Sequence, residues 1–453
     1  MKRGVNKKTV AVIGAGIAGL AAAHYLRRRG IEVAIFEREE VAGGSVRSAM
    51  RDDRYLVELG PNAFLASADP VQRLARELSI DPLVVGSDDL SRNRYIYRGK
   101  RMHRLPTGPA SFMKSGLLSF RGKARMMAEP FVRSRSNDLE SLAGFVRRRA
   151  GKEVLAAMVD PFVSGVWAGD AEELEVSSCF PRLVEVEREY GSVFRGMRKL
   201  VGGIRKRGLY SFRWGMGTIT ARLEEELKGV LRLGSAVEEI SRSKDGRIGV
   251  RAEGFAGRFE ADAAVVAVPS YVAAKLLLKA IPEIYPHLSG IPYASLAVVH
   301  TAFREGDVPR KPDGFGVLIP RGEGVRMLGS IWSSAIFPGR CPRGDILLTN
   351  FIGGATDPEL INLPDEEIVG EVLGGLQATM GITNPPVYRS LKRWGHAIPQ
   401  YTVGHAERLT RIFSAMDGLP GVFLTGAWID GISVSDTIAN SRAAVDRVMS
   451  FLG

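Results

Sequence analysis

Hydrophobic positions near the beginning of the chain alternate between strand-like runs and helical spacing. Thr9–Ile13 is apolar or β-branched throughout, which is typical of a strand buried on both faces. Residues 20–29 follow with a helical pattern that ends at Gly30, and Glu32–Phe36 forms a second apolar run. The order strand, helix, strand predicts a parallel sheet covered by helices.

Later segments repeat both patterns. Helices are predicted at 69–78, 138–150, 151–159, 177–190 and 436–449. Strands are predicted at 230–233, 236–240, 263–268 and 421–426. Because the pattern from about 93 to 205 is mostly helical, we expect a helical insert between regions that contain strands.

Glycines occupy the turn between the first strand and the first helix. Gly14, Gly16 and Gly19 have the spacing GxGxxG. The first permits a tight turn, the second lets backbone N–H groups approach a pyrophosphate, and the third lets helix and strand pack closely. Glu37 ends the second strand, where a carboxylate can accept a hydrogen bond from a ribose hydroxyl. This context predicts a dinucleotide site and leaves FAD and NAD open, since both contain an ADP half.

Two further glycine turns and the carboxyl end favour an extended flavin nucleotide. Gly43-Gly44 and Gly60-Pro61-Asn62 come soon after the acidic residue, which suggests a cofactor lying under backbone amides. Near the carboxyl end, the strand at 421–426 leads through 427–434 into the last helix. The N-terminus of that helix can direct its dipole at an isoalloxazine or ribityl group. A cofactor held by both chain ends predicts a discontinuous cofactor domain.

Composition and charge limit the class of function. The 453 residues are 45% hydrophobic and 25% charged, which is typical of a globular protein. A net charge of +12 fits an anionic membrane face or a carboxylate-bearing ligand. Nucleic acid is not expected as a partner, because the cations are spread along the chain. Two cysteines and six histidines, without an HExxH motif, predict a reduced compartment and no metal site.

Two uncharged runs superficially resemble secretory or membrane segments. Residues 9–26 contain the glycine fingerprint, which is not typical of the core of a signal peptide. Residues 284–303 include two prolines and two histidines, which argue against a helix that spans a bilayer. We therefore expect neither segment to be transmembrane.

Several longer strings are more specific than the glycine fingerprint. They are Gly60-Pro-Asn-Ala-Phe64, Asn93-Arg94-Tyr95, Asp160-Pro-Phe-Val-Ser-Gly-Val-Trp-Ala-Gly-Asp170, Gly314-Phe-Gly-Val-Leu-Ile-Pro320, Phe351-Ile-Gly-Gly354, and Ile398-Pro-Gln-Tyr401 with Gly404-His405. With them the chain resembles the flavin amine oxidase superfamily nearly end to end, and within it the protoporphyrinogen oxidases. The resemblance implies FAD-dependent, oxygen-using, six-electron oxidation of protoporphyrinogen IX to protoporphyrin IX in haem biosynthesis, with release of hydrogen peroxide.

The resemblance also implies an α/β architecture in three parts. These are a discontinuous Rossmann-like FAD-binding domain (1–92, 206–278 and 410–453), a β-sheet substrate-binding domain (279–409) and an α-helical, membrane-associating insert (93–205). The insert would attach the protein peripherally, from the cytoplasm, to the anionic inner face of the cell membrane. The oligomeric state stays open between a monomer and a homodimer.

The resemblance assigns roles to individual residues. The expected catalytic residues are Arg94, Gly165, Phe351, Ile319 and Asn62. Arg94 is expected to anchor a propionate, since a guanidinium offers a bidentate fork. Phe351 is expected to stack on a pyrrole, with Ile319 and its neighbour Leu318 as the opposite wall. Gly165 is expected where the backbone nears the oxidised carbon, and Asn62 beside flavin or substrate.

The resemblance also implies a set of flavin-binding residues spread over both chain ends. They are Gly14, Ala15, Gly16, Ile17, Ala18, Gly19, Glu37, Arg38, Ser45, Gly60, Pro61, Asn62, Ala63, Val237, Trp394, Ile432, Ser433 and Val434.

Three alternatives remain beside the main hypothesis. A coproporphyrinogen III oxidase would meet four carboxylates instead of two, and the overall charge does not locate the cations of the pocket. A flavin amine or polyamine oxidase would need an acidic or aromatic entrance for its cationic substrate, so the basic charge balance counts mildly against it. A flavoprotein that serves only as a scaffold is the third, since a fold does not determine a function.

Overall fold

Five sheets and a series of helices make up the part of the chain that the structure, a computed structural model, describes: residues 7–65, 67, 69–134, 139–200, 208–255 and 257–453. In chain order the strands are β1 (Thr9–Ile13), β2 (Glu32–Phe36), β3 (Ser48–Arg51), β4 (Tyr55–Glu58), β5 (Phe64–Leu65), β6 (Val84–Gly86), β7 (Arg94–Arg98), β8 (Arg101–Arg104), β9 (Leu209–Phe212), β10 (Leu231–Arg232), β11 (Val237–Arg242), β12 (Ile248–Ala252), β13 (Phe259–Ala261), β14 (Ala263–Val266), β15 (Tyr293–Arg304), β16 (Gly316–Leu318), β17 (Met327–Ile331), β18 (Asp345–Gly353), β19 (Tyr388–Pro399) and β20 (Val422–Leu424).

The helices lie between these strands and are concentrated in the middle of the chain. In chain order they are α1 (Ile17–Arg28), α2 (Asp69–Glu77), α3 (Pro109–Lys114), α4 (Phe120–Met127), α5 (Leu142–Arg149), α6 (Lys152–Val154), α7 (Asp160–Trp167), α8 (Val176–Cys179), α9 (Pro181–Tyr190), α10 (Val193–Leu200), α11 (Gly217–Leu227), α12 (Ser270–Leu277), α13 (Tyr285–Ser289), α14 (Ser333–Ile336), α15 (Asp365–Met380), α16 (His405–Met416) and α17 (Val434–Leu452).

A parallel sheet with the strand order β10-β2-β1-β14-β20 forms one half of the molecule. Val12 of β1 points into one core and Ile13 into another, because successive side chains of a strand alternate between its faces. Helices α1, α11 and α17 cover the first core. Helices α12 and α16 and the antiparallel strands β11–β13 cover the second. The predicted strands at Thr9–Ile13 and Glu32–Phe36 and the α/β class are confirmed.

The two ends of the chain meet in this sheet. Strands β1 and β20 both pair with β14, so they are separated by one strand. Helix α17 starts with a capping box, in which Ser433 Oγ accepts the Asp436 N–H at 3.1 Å and the Asp436 carboxylate accepts the Ser433 N–H at 3.3 Å. Ile438 and Val445 of α17 then pack in the same core as Leu20 of α1. Both chain ends therefore contribute to one sheet, as a discontinuous cofactor domain requires, and that domain division stays a prediction.

A second large sheet has the strand order β19-β15-β18-β17-β16-β7-β8 and is mostly antiparallel. Helix α15 covers one of its faces, where Val372 packs with Val299 and Ile352. The other face carries Val298 and Phe351 and is turned toward α7. We call this second face the site face.

The edge of the second sheet lies where helix was expected. Arg94–Arg98 and Arg101–Arg104 form β7 and β8, so the expectation of helix from residue 93 is wrong as far as 104. Gly99 and Lys100 connect the two strands with φ of +56° and +60°, the backbone of a tight hairpin turn. Strand β7 is held by parallel pairing with β16, a distant segment that local spacing does not reveal.

Residues beyond this hairpin form the helical insert. Helices α3–α10 occupy most of 109–200. Their core contains Leu142, Val163 and Trp167, and it includes Tyr401, which follows β19. The domain boundaries at 92, 205, 278 and 409 stay predictions, and residues 205 and 206 lie outside the described part of the chain.

Candidate active site

Close backbone approaches build the glycine turn after β1. Gly14 has a φ of +98°, and its N–H donates to the Phe36 carbonyl oxygen at 2.8 Å. A Cβ at Gly19 would overlap the Gly14 carbonyl oxygen, so only glycine lets α1 pack this near to β1. Helix α1 begins at Ile17, and the N–H groups of its first turn lack helical acceptors. Such donors suit a pyrophosphate.

A second turn lies against the first and completes a cradle. The Gly43 N–H donates to the Ala15 carbonyl oxygen at 2.8 Å, and a Cβ at Gly44 would lie 3.1 Å from the Gly16 Cα. The Glu37 carboxylate accepts the Ala15 N–H at 2.6 Å, which holds it at the end of β2. Because the cradle is lined by glycine backbone with an acid beside it, these residues fit the ADP half of FAD.

The remaining predicted flavin residues of the amino-terminal half differ in their placement. Gly60 lies so close to Ser45 that a Cβ would overlap the Ser45 carbonyl oxygen. Two of the predicted flavin-binding residues are therefore in direct contact. Val237 begins β11 and packs on the core that contains the end of β2. The exposed Arg38 guanidinium instead pairs with Glu39 at 2.9 Å, so its side chain is engaged outside the cradle.

The segment before α17 connects the cofactor sheet with the helical insert. Ile432 packs on the insert core beside Tyr401. The Tyr401 hydroxyl donates to the Ala427 carbonyl oxygen at 2.5 Å. Ser433 and Val434 then form the capped start of α17. The predicted contacts at 432–434 therefore lie at the junction of all three regions, where a flavin ring would meet the helix dipole.

The end of β4 links the cradle to the site face. Trp394 Nε1 donates to the Leu59 carbonyl oxygen at 2.7 Å, and His300 Nε2 lies 3.0 Å from the Glu58 carbonyl oxygen. The buried Glu58 carboxylate accepts from Arg340 at 2.9 Å. Burial lowers the pKa of His300 to about 4, so the ring is neutral and its Nε2 carries the donated proton. These bonds hold the turn at 60–63 next to Trp394.

The strand register aligns five residues in one row across the site face. In spatial order they are Leu318, Gly329, Phe351, Val298 and Lys392. Residues paired directly across strands project to the same face. Phe351 and Trp394 are half-buried and pack on Val298 and Leu296, so the middle of the row is apolar.

Helix α7 lies against one side of this row. A Cβ at Gly165 would overlap the Leu318 side chain, so the glycine lies directly on the leucine. The Arg321 guanidinium binds Asp160 at the start of α7, with Nε 2.9 Å from Oδ2, and Asp170 after its end at 3.1 Å. This double ion pair holds both ends of the helix against the loop between β16 and β17.

In the pairing of β7 with β16, Ile96 lies opposite Leu318 and therefore belongs to the site face. Arg94 is two positions before Ile96, so its side chain projects to that face as well. Its guanidinium carbon is 5.2 Å from the centre of the Phe315 ring. Among the described residues it has no carboxylate partner. Part of the side chain reaches solvent, yet surrounding protein atoms lower the pKa of the guanidinium, which remains protonated.

One predicted wall residue lies on the wrong side of the sheet. Ile319 is 3% exposed and packs in the core under α15 with Val317 and Met327. Strand alternation explains the difference, because Leu318 takes the site face and its neighbours turn away from it. The prediction that Ile319 forms a wall opposite Phe351 is wrong, whereas Leu318, the other residue predicted for that wall, lies on the site face.

Asn62 is half-buried in the turn that Trp394 supports, and its Nδ2 donates to the Gly60 carbonyl oxygen at 3.1 Å. The structure thus brings Gly165, Phe351 and Arg94 to one face and places Asn62 on the adjoining turn. The roles assigned to these residues stay predictions.

Sequence reasoning missed the residues that connect the two sheets. Glu58 lies two residues before Gly60. The sequence does not show that its carboxylate is buried, because its partner Arg340 is distant in sequence. Lys392 and Val298 enter the site face only through the pairing of β15 with β19. An Arg-Tyr-Ile-Tyr-Arg run followed by Gly99-Lys100 is the one local pattern that could have revealed the β7–β8 hairpin.

Comparisons with known proteins agree with this architecture. The model of the family described as flavin containing amine oxidoreductase matches residues 17–449. Coproporphyrinogen III oxidase of Bacillus subtilis is 30% identical over 99% of both chains. Mitochondrial protoporphyrinogen oxidase of Nicotiana tabacum is 33% identical over 99% of this chain and 96% of that protein. A crystal structure of a candidate protoporphyrinogen oxidase from Exiguobacterium has a TM-score of 0.85 at 25% identity and covers 98% of this chain and 99% of its own.

These matches extend over nearly the whole chain, including both halves of the cradle and the site face. They confirm the predicted FAD cofactor and the predicted class of flavin-dependent oxidoreductase. The chain belongs to the flavin containing amine oxidoreductase family.

Proposed function

We propose that this protein oxidises a porphyrinogen, protoporphyrinogen IX or coproporphyrinogen III, to the corresponding porphyrin, with oxygen as the final acceptor and hydrogen peroxide as the second product. The observation that carries the proposal is the site face itself. It combines an apolar row centred on Phe351 with an arginine that has no carboxylate partner among the described residues. A large, apolar macrocycle with propionate arms needs both features.

The residues of the chain would act by binding and positioning. Phe351 offers a half-buried ring for a pyrrole face, while Leu318 and Gly165 form a tightly packed wall beside it. Arg94 would receive a propionate through charge-assisted hydrogen bonds. When bound, FAD accepts electrons in pairs, so a six-electron oxidation requires three such transfers.

The names of the relatives support the porphyrinogen class, since the two relatives described above, at 30% and 33% identity, are named as porphyrinogen oxidases. An amine oxidase is less well supported, because Arg94 and Lys392 are cations on the site face, and the Asp345 carboxylate on the same face of β18 is already bound by Arg304. A cationic substrate would be repelled by that charge.

Turnover tests the proposed function. Purified holoenzyme is supplied in air with protoporphyrinogen IX, coproporphyrinogen III or a primary polyamine, while porphyrin fluorescence, oxygen consumption and peroxide are followed. We expect porphyrin formation from at least one porphyrinogen, with three molecules of peroxide for each porphyrin, and none from the amine. Oxidation of the amine alone would overturn the proposal.

A peripheral membrane surface on the insert is part of the same proposal. Phe120 and Phe131 are 80% and 86% exposed, and Met127 shares the exposed face of α4. Arg121, the sequence neighbour of Phe120, and Lys114 of the preceding helix α3 are also exposed. Aromatic side chains rimmed by cations suit an anionic bilayer. Within the described ranges, every helix is too short or too polar to cross a membrane.

Vesicle sedimentation tests this surface. We expect the holoenzyme to bind vesicles rich in phosphatidylglycerol more tightly than vesicles of phosphatidylcholine. The double change Phe120→Ser with Phe131→Ser should weaken that binding about tenfold or more, since each phenyl group buries apolar area. Leu278→Ser, at another exposed apolar side chain, is the matched control and should bind like the parent protein. Equal binding by the double variant would refute the assignment.

A further inference from the structure

A second cation occupies the site face, on the side opposite Arg94. Lys392 pairs with Val298 across β19 and β15, and Val298 pairs with Phe351 across β15 and β18. Directly paired residues share a face, so the lysine ends the apolar row that passes through Phe351. It stands two strands from Phe351, while Arg94 stands three strands away in the other direction.

The surroundings of Lys392 leave its charge without a counterion. The side chain is half-buried, and its Nζ lies 4.7 Å from the centre of the Trp394 ring. In the part of the chain that the structure describes, no carboxylate pairs with it. Its sequence neighbour Arg393 points to the other face and pairs with Asp365 and two carbonyl groups. An ammonium group that no carboxylate of the described residues pairs with is available to an anionic ligand.

The distance between the two cations restricts the ligand. Arg94 and Lys392 lie on β7 and β19, five strand intervals apart, or about 24 Å at the usual spacing of about 4.8 Å. Both side chains can lean inward over the apolar row. A ligand with carboxylates on one edge of its ring can reach only one of the two cations. A ligand with carboxylates on opposite edges can reach both Arg94 and Lys392.

We propose that Lys392 binds a second carboxylate of the substrate, on the edge of the macrocycle opposite the propionate held by Arg94, so that this site is built for a tetracarboxylate porphyrinogen. This inference rests on the proposed function and decides between its two substrates. Coproporphyrinogen III carries a propionate on each of its four pyrroles. Protoporphyrinogen IX has two propionates on adjacent pyrroles and presents only vinyl and methyl groups to the other flank.

The test compares two ligands in Lys392 variants of the holoenzyme. KM and kcat are measured for both porphyrinogens, and equilibrium binding of coproporphyrin III and protoporphyrin IX to the oxidised holoenzyme is measured without turnover. We expect Lys392→Met to raise KM and Kd about tenfold or more for the tetracarboxylate. The values for the dicarboxylate should change less than about threefold, and Lys392→Arg should retain most of the tetracarboxylate affinity.

Arg389→Gln is the matched control, because it removes one positive charge from the same strand on the opposite face, where the exposed arginine pairs with Glu366. It should leave both sets of constants unchanged. Equal losses for both ligands in Lys392→Met, no loss for either, or a shifted flavin absorbance spectrum would overturn the assignment, the last because the lysine would then face the flavin.

The two proposals fail separately. Binding of coproporphyrin III that depends on Lys392, without oxidation of either porphyrinogen, would contradict the proposed function and leave the carboxylate site intact. Oxidation of both porphyrinogens with binding indifferent to Lys392 would do the reverse.

Discussion

The cofactor cradle and the site face solve two binding problems with different parts of the polypeptide. The cradle is made of backbone: Gly14, Gly19 and Gly44 allow approaches that a Cβ would block, and Glu37 is held by a backbone N–H. The site face is made of side chains from strands that are far apart in sequence. The cradle therefore depends on glycines that lack a side chain, whereas the site face depends on the side chains that project from its strands.

This difference determines how each region responds to change. A backbone cradle tolerates no added atoms, because its neighbours are main-chain groups that cannot move aside. A face of side chains can be altered one position at a time, and each alteration affects one feature of the substrate. Four expected outcomes test the comparison.

The largest effect is expected at Gly19. Gly19→Val forces a Cβ into the Gly14 carbonyl oxygen and separates α1 from β1, which should cost about 3 kcal/mol or more and abolish flavin binding. Flavin content after purification and the free energy of unfolding in urea measure the change. Gly229→Ala, where the added methyl meets open space, should stay within about 0.5 kcal/mol. A yellow, stable Gly19→Val protein would contradict the backbone account.

A large effect on catalysis alone is expected at Gly165. Gly165→Leu drives side-chain atoms into Leu318 and across the row beside Phe351, so turnover should fall at least about a hundredfold while flavin content is retained. Gly370→Leu, on the open side of α15, is the control. The smaller change Gly165→Ala should be partly rescued by Leu318→Ala, as a double-mutant cycle of porphyrin formation would reveal. Independent, additive losses would remove the contact from the site.

A moderate effect is expected at Arg94. Arg94→Ala should raise KM for a porphyrinogen about tenfold or more and retain the flavin, because one charge-assisted pair to a propionate is lost. Steady-state kinetics with the free acid and with the methyl ester of the same porphyrinogen measure it, since the ester lacks the negative charge in both proteins. An unchanged KM for the free acid would refute the role of the arginine.

The smallest effect is a pH dependence of stability. Burial lowers the pKa of His300 from 6.5 to about 4, so between these values the unfolded chain binds the proton that the folded protein excludes. The free energy of unfolding should therefore fall as the pH drops from 6.5 toward 4, by at most about 1.4 kcal/mol per pH unit from this residue. Urea titrations of the parent protein and His300→Gln across this window measure it. Parallel slopes for the two proteins would contradict the burial argument.

Local patterns predicted the cradle well and the site face poorly, for a physical reason. The strand, glycine turn and helix at 9–28 are consecutive in sequence, so their spacing contains their geometry. The β7–β8 hairpin is stabilised by pairing with β16. Its many basic residues do not give the alternation of apolar and polar side chains that is typical of a strand. The reversed side of Ile319 and the presence of Lys392 follow from strand register, which depends on pairings between distant segments.

The motif strings identified some residues of the site face that local patterns alone did not predict, but not all of them. Gly165, Phe351 and Arg94 were selected by resemblance; strand register places Phe351 and Arg94 on one face, and the packing of α7 brings Gly165 to it. The buried pair of Glu58 and Arg340 had no such guide, because neither residue gains meaning without the other. The carboxylate site proposed at Lys392 likewise depends on the pairing of strands that are distant in sequence.

The central claim is that flavin in the cradle takes electrons from a tetrapyrrole on the site face. Anaerobic mixing of the holoenzyme with coproporphyrinogen III or protoporphyrinogen IX tests it most directly, with flavin absorbance followed in time. The account predicts that the bound flavin is bleached and that porphyrin fluorescence grows when air is admitted. Flavin that stays oxidised with both porphyrinogens would contradict it.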